Sequence, residues 1–132
     1  MELEGLLNQL DELGLPKDQY AITSSGPLAV RGIRPAKDLD LVVSDNLWQE
    51  LIGRYPVKDL GLCQSIQIGE IEILGNFKDG QLISSEQQIT EADIINSHRY
   101  VNLDTIIKFK KLLSRDKDLA DIKLIEEYLA KQ

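Results

Sequence analysis

Asp38 and Asp40 stand two residues apart at the head of the stretch "RPAKDLDLVV", followed by Leu41, Val42 and Val43. On an extended chain, side chains at i and i+2 leave the same face, with α-carbons about 6.6 Å apart. Two carboxylates so placed can converge on one hard cation, and without a partner they repel, so that one tends to stay protonated. Mg²⁺ suits such a pair, because it usually takes one or two carboxylates, several waters and substrate phosphates. An EF-hand calcium loop would need Asp or Asn at 42 and Gly at 43, and both positions are valine. The plain alternative is a strand face that meets water or caps a neighbouring helix. Two neighbours favour the metal. Glu72 lies between Ile71 and Ile73 on another apolar stretch, a third charge on one face of a strand. Upstream, "TSSGP" places Ser24 and Ser25 where small residues and helix-opening N–H groups can cradle an anion.

These residues need elements to hold them. Leucines 3, 6, 7, 10 and 13 recur at helical spacing before Gly14, which predicts an N-terminal helix. "YAIT" reads as a buried strand. Pro27 fits the first turn of a short helix that Gly32 would close. "IRPAK" is a loop, since the residue before a proline is pushed out of the helical region. A second strand follows over residues 38–43. Ser44 or Asp45 caps a helix that turns Leu47, Trp48, Leu51 and Ile52 inward. "YPVKDLGLCQ" is irregular or a weak strand. "SIQIGEIEILGNF" alternates around Gly69 as two short strands or one bulged strand, and Glu70 shares Glu72's face by parity. "KDGQ" is a turn, "TEADIINS" one or two helical turns, and "HRYVN" extended. Two helices close the chain, about 102–113 and 116–130, the last with Leu119, Ile122, Leu124, Ile125 and Leu129 on its inner face. The expected architecture is one α/β (α+β) domain over residues 1–132, a small mixed sheet flanked by helices, with a core over 19–77 and a C-terminal helical part over 90–131.

Composition narrows the function. The net charge of −7 argues against sequence-independent attraction to nucleic acid or anionic membrane. Residues 99–117 go the other way, with six cations against two carboxylates, a local balance of +4. That segment faces a phosphate-bearing ligand or is a solvated helix face. Cys63 is the single cysteine, which excludes an internal disulfide and a cysteine zinc cluster. It reads as core filler, and His98, the only histidine, as a surface or strand-edge residue. Arg31 and Arg34 flank the loop before the aspartates and either pair with them or bind triphosphate. No run of about 18 apolar residues is present, so no membrane span is expected. The acidic amphipathic start is unlike a signal peptide, and the cytoplasm is the natural compartment. Neither G-x-x-x-x-G-K-[ST] nor G-x-G-x-x-G occurs.

With these features in order, "AITSSGPLAVRGIRPAKDLDLVVS" resembles the nucleotidyltransferase superfamily of the polymerase β-like fold, and most of all its small bacterial AbiEii-like and minimal members. Those proteins carry a Gly-Ser or Gly-Gly turn, a short helix, Asp-x-Asp on the next strand and a third carboxylate later. "LDTIIKFKKLLSRDKDLADIKLIEEYL" is similar to the AbiEii-type tail, with Lys110, Arg115, Lys117, Asp118 and Asp121 at its charged positions. The resemblance implies Mg²⁺, as one or two ions, on Asp38, Asp40 and Glu72, and a nucleoside triphosphate held by Ser24, Ser25, Lys110 and Lys117. The reaction implied is transfer of a nucleoside monophosphate to an acceptor hydroxyl of a small molecule, tRNA or protein. Two departures are visible: Ser24 replaces the turn glycine, and Glu72 the usual aspartate. A binding protein that keeps the fold without the activity, such as a toxin–antitoxin component, is the alternative, and a homodimer that completes the site is a further expectation. In a purely structural reading, Lys117 and Asp121 are an exposed i, i+4 pair.

Overall fold

A computed structural model describes residues 2–78 and 83–132. The described chain forms a mixed α/β structure. Helix α1 (Leu3–Glu12) is followed by a short 3₁₀ turn, strand β1 (Tyr20–Thr23) and the single helical turn α2 (Gly26–Ala29). Strand β2 (Leu39–Val43) leads into α3 (Asp45–Ile52), then into β3 (Lys58–Asp59), β4 (Gln64–Ile68) and β5 (Ile71–Gly75). Helix α4 (Ser85–Thr90), the hairpin β6 (Asp93–Ile95) and β7 (His98–Tyr100), and helices α5 (Leu103–Leu113) and α6 (Asp116–Ala130) complete it. The strands lie in the order β3-β4-β5-β2-β1-β7-β6. β2 runs antiparallel to β1 and parallel to β5, so the start of β2, the start of β5 and the end of β1 meet at one end of the sheet.

Strand parity divides the residues between two cores. Leu39, Leu41 and Val43 join Ile66, Ile71, Ile73 and Trp48 in the core that also takes Leu6 and Leu10 of α1. Val42 joins the opposite core with Ala21, Ile106 and Ile125, which α4, α5 and α6 help to build. Asp40, two residues before Val42, therefore faces the side of the C-terminal helices. Packing on the first side is close: a Cβ on Gly75 would lie 2.4 Å from the Trp48 ring, so only glycine fits there.

Several expectations hold in detail. Ser44 caps α3 by accepting from the Leu47 N–H, and Gly14 and Gly32 take left-handed conformations just past the helices they close. "SIQIGEIEILGNF" resolves into two strands, turned at Gly69 and Glu70 with Gly69 at φ +57°. "YPVKDLGLCQ" contributes the two-residue edge strand β3.

Others are corrected. Asp38 lies just before its strand rather than in it. Glu70 sits in the turn, where its carbonyl accepts from the Leu39 N–H, so the parity argument does not reach it. "TEADIINS" is mostly a hairpin: Asn96 and Ser97, at φ +50° and +72°, are two consecutive left-handed residues, the conformation that closes a tight two-residue β-turn. The helix nearby is α4, earlier in the chain, which Ser84 caps through the Gln87 N–H. Ile52 is exposed. The inner face of α6 is Asp118, Asp121, Ile122 and Ile125, while Leu119, Leu124 and Leu129 are exposed. Of the expected "KDGQ" turn, only Lys78 lies within the described residues.

Candidate functional site

The ends of three strands set the acidic residues. Asp40 is in register with Thr23 on β1 and with Glu72 on β5, so these three neighbours cross the sheet in a row. Adjacent strands run about 4.8 Å apart, which puts the Asp40 and Glu72 side chains next to each other on one face. Ser24 follows Thr23 in the turn to α2. It adopts φ +60°, the conformation that a glycine would take at little cost, and its side chain hydrogen-bonds Asp40. The serine thus keeps the backbone shape of a glycine turn. Asp38 is exposed at the mouth.

The electrostatics of Asp40 are unusual for a surface-facing strand. Burial pushes its carboxyl up to about 7, and the charges of Asp38 and Glu72 push in the same direction. The Ser24 hydrogen bond and the Lys110 charge pull it down and do not prevail. None of Asp38, Asp40 and Glu72 has a salt bridge among the described residues.

Facing them, the α5–α6 elbow is a charged lattice that is already satisfied. Lys110 is 5% exposed and places Nζ 2.9 Å from Asp121 and 3.8 Å from Asp118. Arg34 grips Asp121 with two hydrogen bonds of 2.6 and 2.7 Å, and Arg115 grips Asp118 at 2.6 and 3.2 Å. Burial raises Asp118 and Asp121, but hydrogen bonds and charge from these cations outweigh it and hold both below the usual carboxylate range. Asp121 pairs with Arg34 and Lys110 and not with Lys117, so the i, i+4 pair of the purely structural reading does not form. Arg31 pairs with Asp93 at 2.8 Å, away from the aspartates.

A cleft of about 690 Å³ lies between these two groups. The seven residues that the resemblance assigns to metal and nucleotide all line it: Ser24, Ser25, Asp38, Asp40, Glu72, Lys110 and Lys117. Sequence reasoning missed Lys37, which lines it too, and an apolar end formed by Leu60, Leu62, Leu74, Phe109 and Leu113. Lys37 adjoins Asp38 and was visible as a neighbour. The loop around Leu60 has no periodicity and gave no signal. Cys63 also lines the cleft and keeps its proton, its thiol pushed up to about 11 chiefly by burial. His98 is buried rather than superficial; it opens β7, level with the start of β1 rather than with the end that leads to Ser24, and its Nε2 lies 2.9 Å from Asp11.

Among the described residues, no group of three or more His, Cys, Asp or Glu is close enough to hold a metal unaided. The chemistry of the donor set still fits Mg²⁺, which needs hard oxygens and only one or two carboxylates when a substrate phosphate completes its shell. Asp40 with Glu72 or Asp38 meets that requirement, and their uncompensated charge favours a cation. Comparison of the chain with protein-family models, with curated proteins and with solved structures found no match.

Proposed function

We propose that the chain is a Mg²⁺-dependent nucleotidyltransferase that moves a nucleoside monophosphate from a nucleoside triphosphate to an acceptor hydroxyl. One observation carries this reading: residues from five separate segments line a single cleft, with Asp40 beside Glu72, Asp38 at the mouth, no salt bridge to any of the three among the described residues, and cations around them. Mg²⁺ bound at Asp38, Asp40 and Glu72 would supply charge neutralisation for the triphosphate and lower the pKa of the acceptor. The chain's own groups do the rest. Ser25 offers its hydroxyl to the outer phosphates, while Ser24, whose hydroxyl bonds Asp40, shapes the turn beside them. Lys117, exposed at the cleft, meets phosphate directly, whereas Lys110 stays with Asp118 and Asp121 and balances the acidic centre from behind. Glu72 accepts the acceptor's proton as its oxygen attacks the α-phosphorus in line. The new P–O bond forms, the α–β bridging bond breaks, and pyrophosphate leaves with the electron pair.

The acceptor is a small molecule, a tRNA end or a protein side chain. No helix among the described residues is long and apolar enough to cross a membrane. A second reading, a binding protein without transfer activity, draws on Ser24 and Glu72, which stand where the resembled proteins have glycine and aspartate. Incubation with α-labelled nucleoside triphosphates and a bacterial lysate separates the two. Transfer of label that disappears in Asp40→Asn supports the enzyme. No transfer by the wild type, with a stable protein partner recovered, supports the binder.

A further inference from the structure

Resting on the nucleotide reading above, we propose that the apolar end of the cleft receives the nucleobase and selects purines over pyrimidines by area, without distinguishing adenine from guanine. The register fixes where this end lies. Leu74 is two residues beyond Glu72 on the same face of β5, so the cleft changes from carboxylate to hydrocarbon along one strand. β4 pairs antiparallel with β5, Gln64 opposite Gly75, which brings the β3–β4 loop beside Leu74. That loop supplies Leu60 and Leu62, and α5 adds Phe109 and Leu113, one helical turn apart on a single face.

This wall is built in advance. The Leu60 N–H donates to the Cys63 carbonyl at 2.9 Å, the Gly61 N–H to Asp59 Oδ1 at 2.8 Å, and the Leu62 carbonyl accepts from the Lys78 N–H at 2.9 Å. Leu60 is nevertheless 44% exposed, an apolar side chain presented to the cleft. Base edges are told apart by hydrogen bonds, and the side chains here carry neither donor nor acceptor apart from a protonated Cys63 thiol. Flat apolar area is what they offer, and a purine has more of it. The phosphates, by continuity, lie at the other end with Ser24, Ser25, Lys37 and Lys117.

The test is calorimetric titration with the Mg²⁺ complexes of ATP, GTP, CTP, UTP and inorganic tripolyphosphate, on wild type and on Leu60→Ala. ATP and GTP are expected to bind within about twofold of each other and about fivefold more tightly than CTP and UTP, the ratio for burying one more ring. Leu60→Ala is expected to weaken ATP and GTP several-fold and to leave tripolyphosphate unchanged. Leu113→Ala, from the other side of the cleft, is expected to do the same. Equal binding of all four nucleotides, a tenfold preference between ATP and GTP, or tripolyphosphate binding as tightly as ATP overturns the base site while leaving the nucleotidyltransferase reading in place. No binding of any nucleotide by the wild type overturns both.

Discussion

At the scale of the residue, Asp40 decides what the site can do. Its carboxyl is drawn up to about 7 by burial and by the charges of Asp38 and Glu72. A group whose folded pKa is raised binds more protons in the folded than in the unfolded state. Stability must then fall as pH rises from the ordinary carboxylate range to about 7. Thermal melts of the metal-free protein should show that slope, and Asp40→Asn should flatten it and melt above wild type at pH 8. Identical pH profiles for the two proteins would contradict the electrostatics described here. The D-x-D pair was legible because a period of two is all that a strand needs to align its side chains. Ser24 was not, since a serine in place of glycine reads as a defect until its φ of +60° and its bond to Asp40 are known. Leu60 became a site residue only through the loop that carries it.

At the scale of the element, α6 shows how charge can override hydropathy. Its leucines predict an inner face that the structure turns outward, and the buried stripe is Asp118, Asp121, Ile122 and Ile125. That stripe has regular helical spacing, i, i+3, i+4 and i+7, and becomes legible once acids are admitted to it. They can be buried because Lys110, Arg34 and Arg115 reach them from α5, from the loop before β2 and from the turn between the last two helices. Removing a partner from such a buried network leaves charge behind, which costs more than the pair contributes. Lys110→Ala should therefore lower the unfolding free energy by about 2 kcal/mol, softened because Arg34 and Arg115 remain. Leu119→Ala, on the exposed side, should stay within about 0.5 kcal/mol of wild type. Urea denaturation measures both, and the reverse order would restore the leucine face. α4 was missed although Ser84 and Gln87 form a recognisable cap, because its six residues are too few to show a period.

At the scale of the whole molecule, the sheet brings together what the chain keeps apart. Ser24 and Glu72 are 48 positions apart, and the order β5-β2-β1 sets them on either side of Asp40. Local patterns named most of these strands, but their order depends on pairing across long loops, which no local pattern encodes. The net charge of −7 adds a constraint: a nucleotide must reach this acidic protein with its own charge largely neutralised. Binding should thus require Mg²⁺ and fail without it. Isothermal titration of MgATP into wild type and into Asp38→Ala/Asp40→Ala asks whether these carboxylates hold the metal–nucleotide complex. The wild type should give saturable heat that EDTA abolishes, and the double variant none. Equal heats from the two proteins, or no heat from either, would contradict binding there.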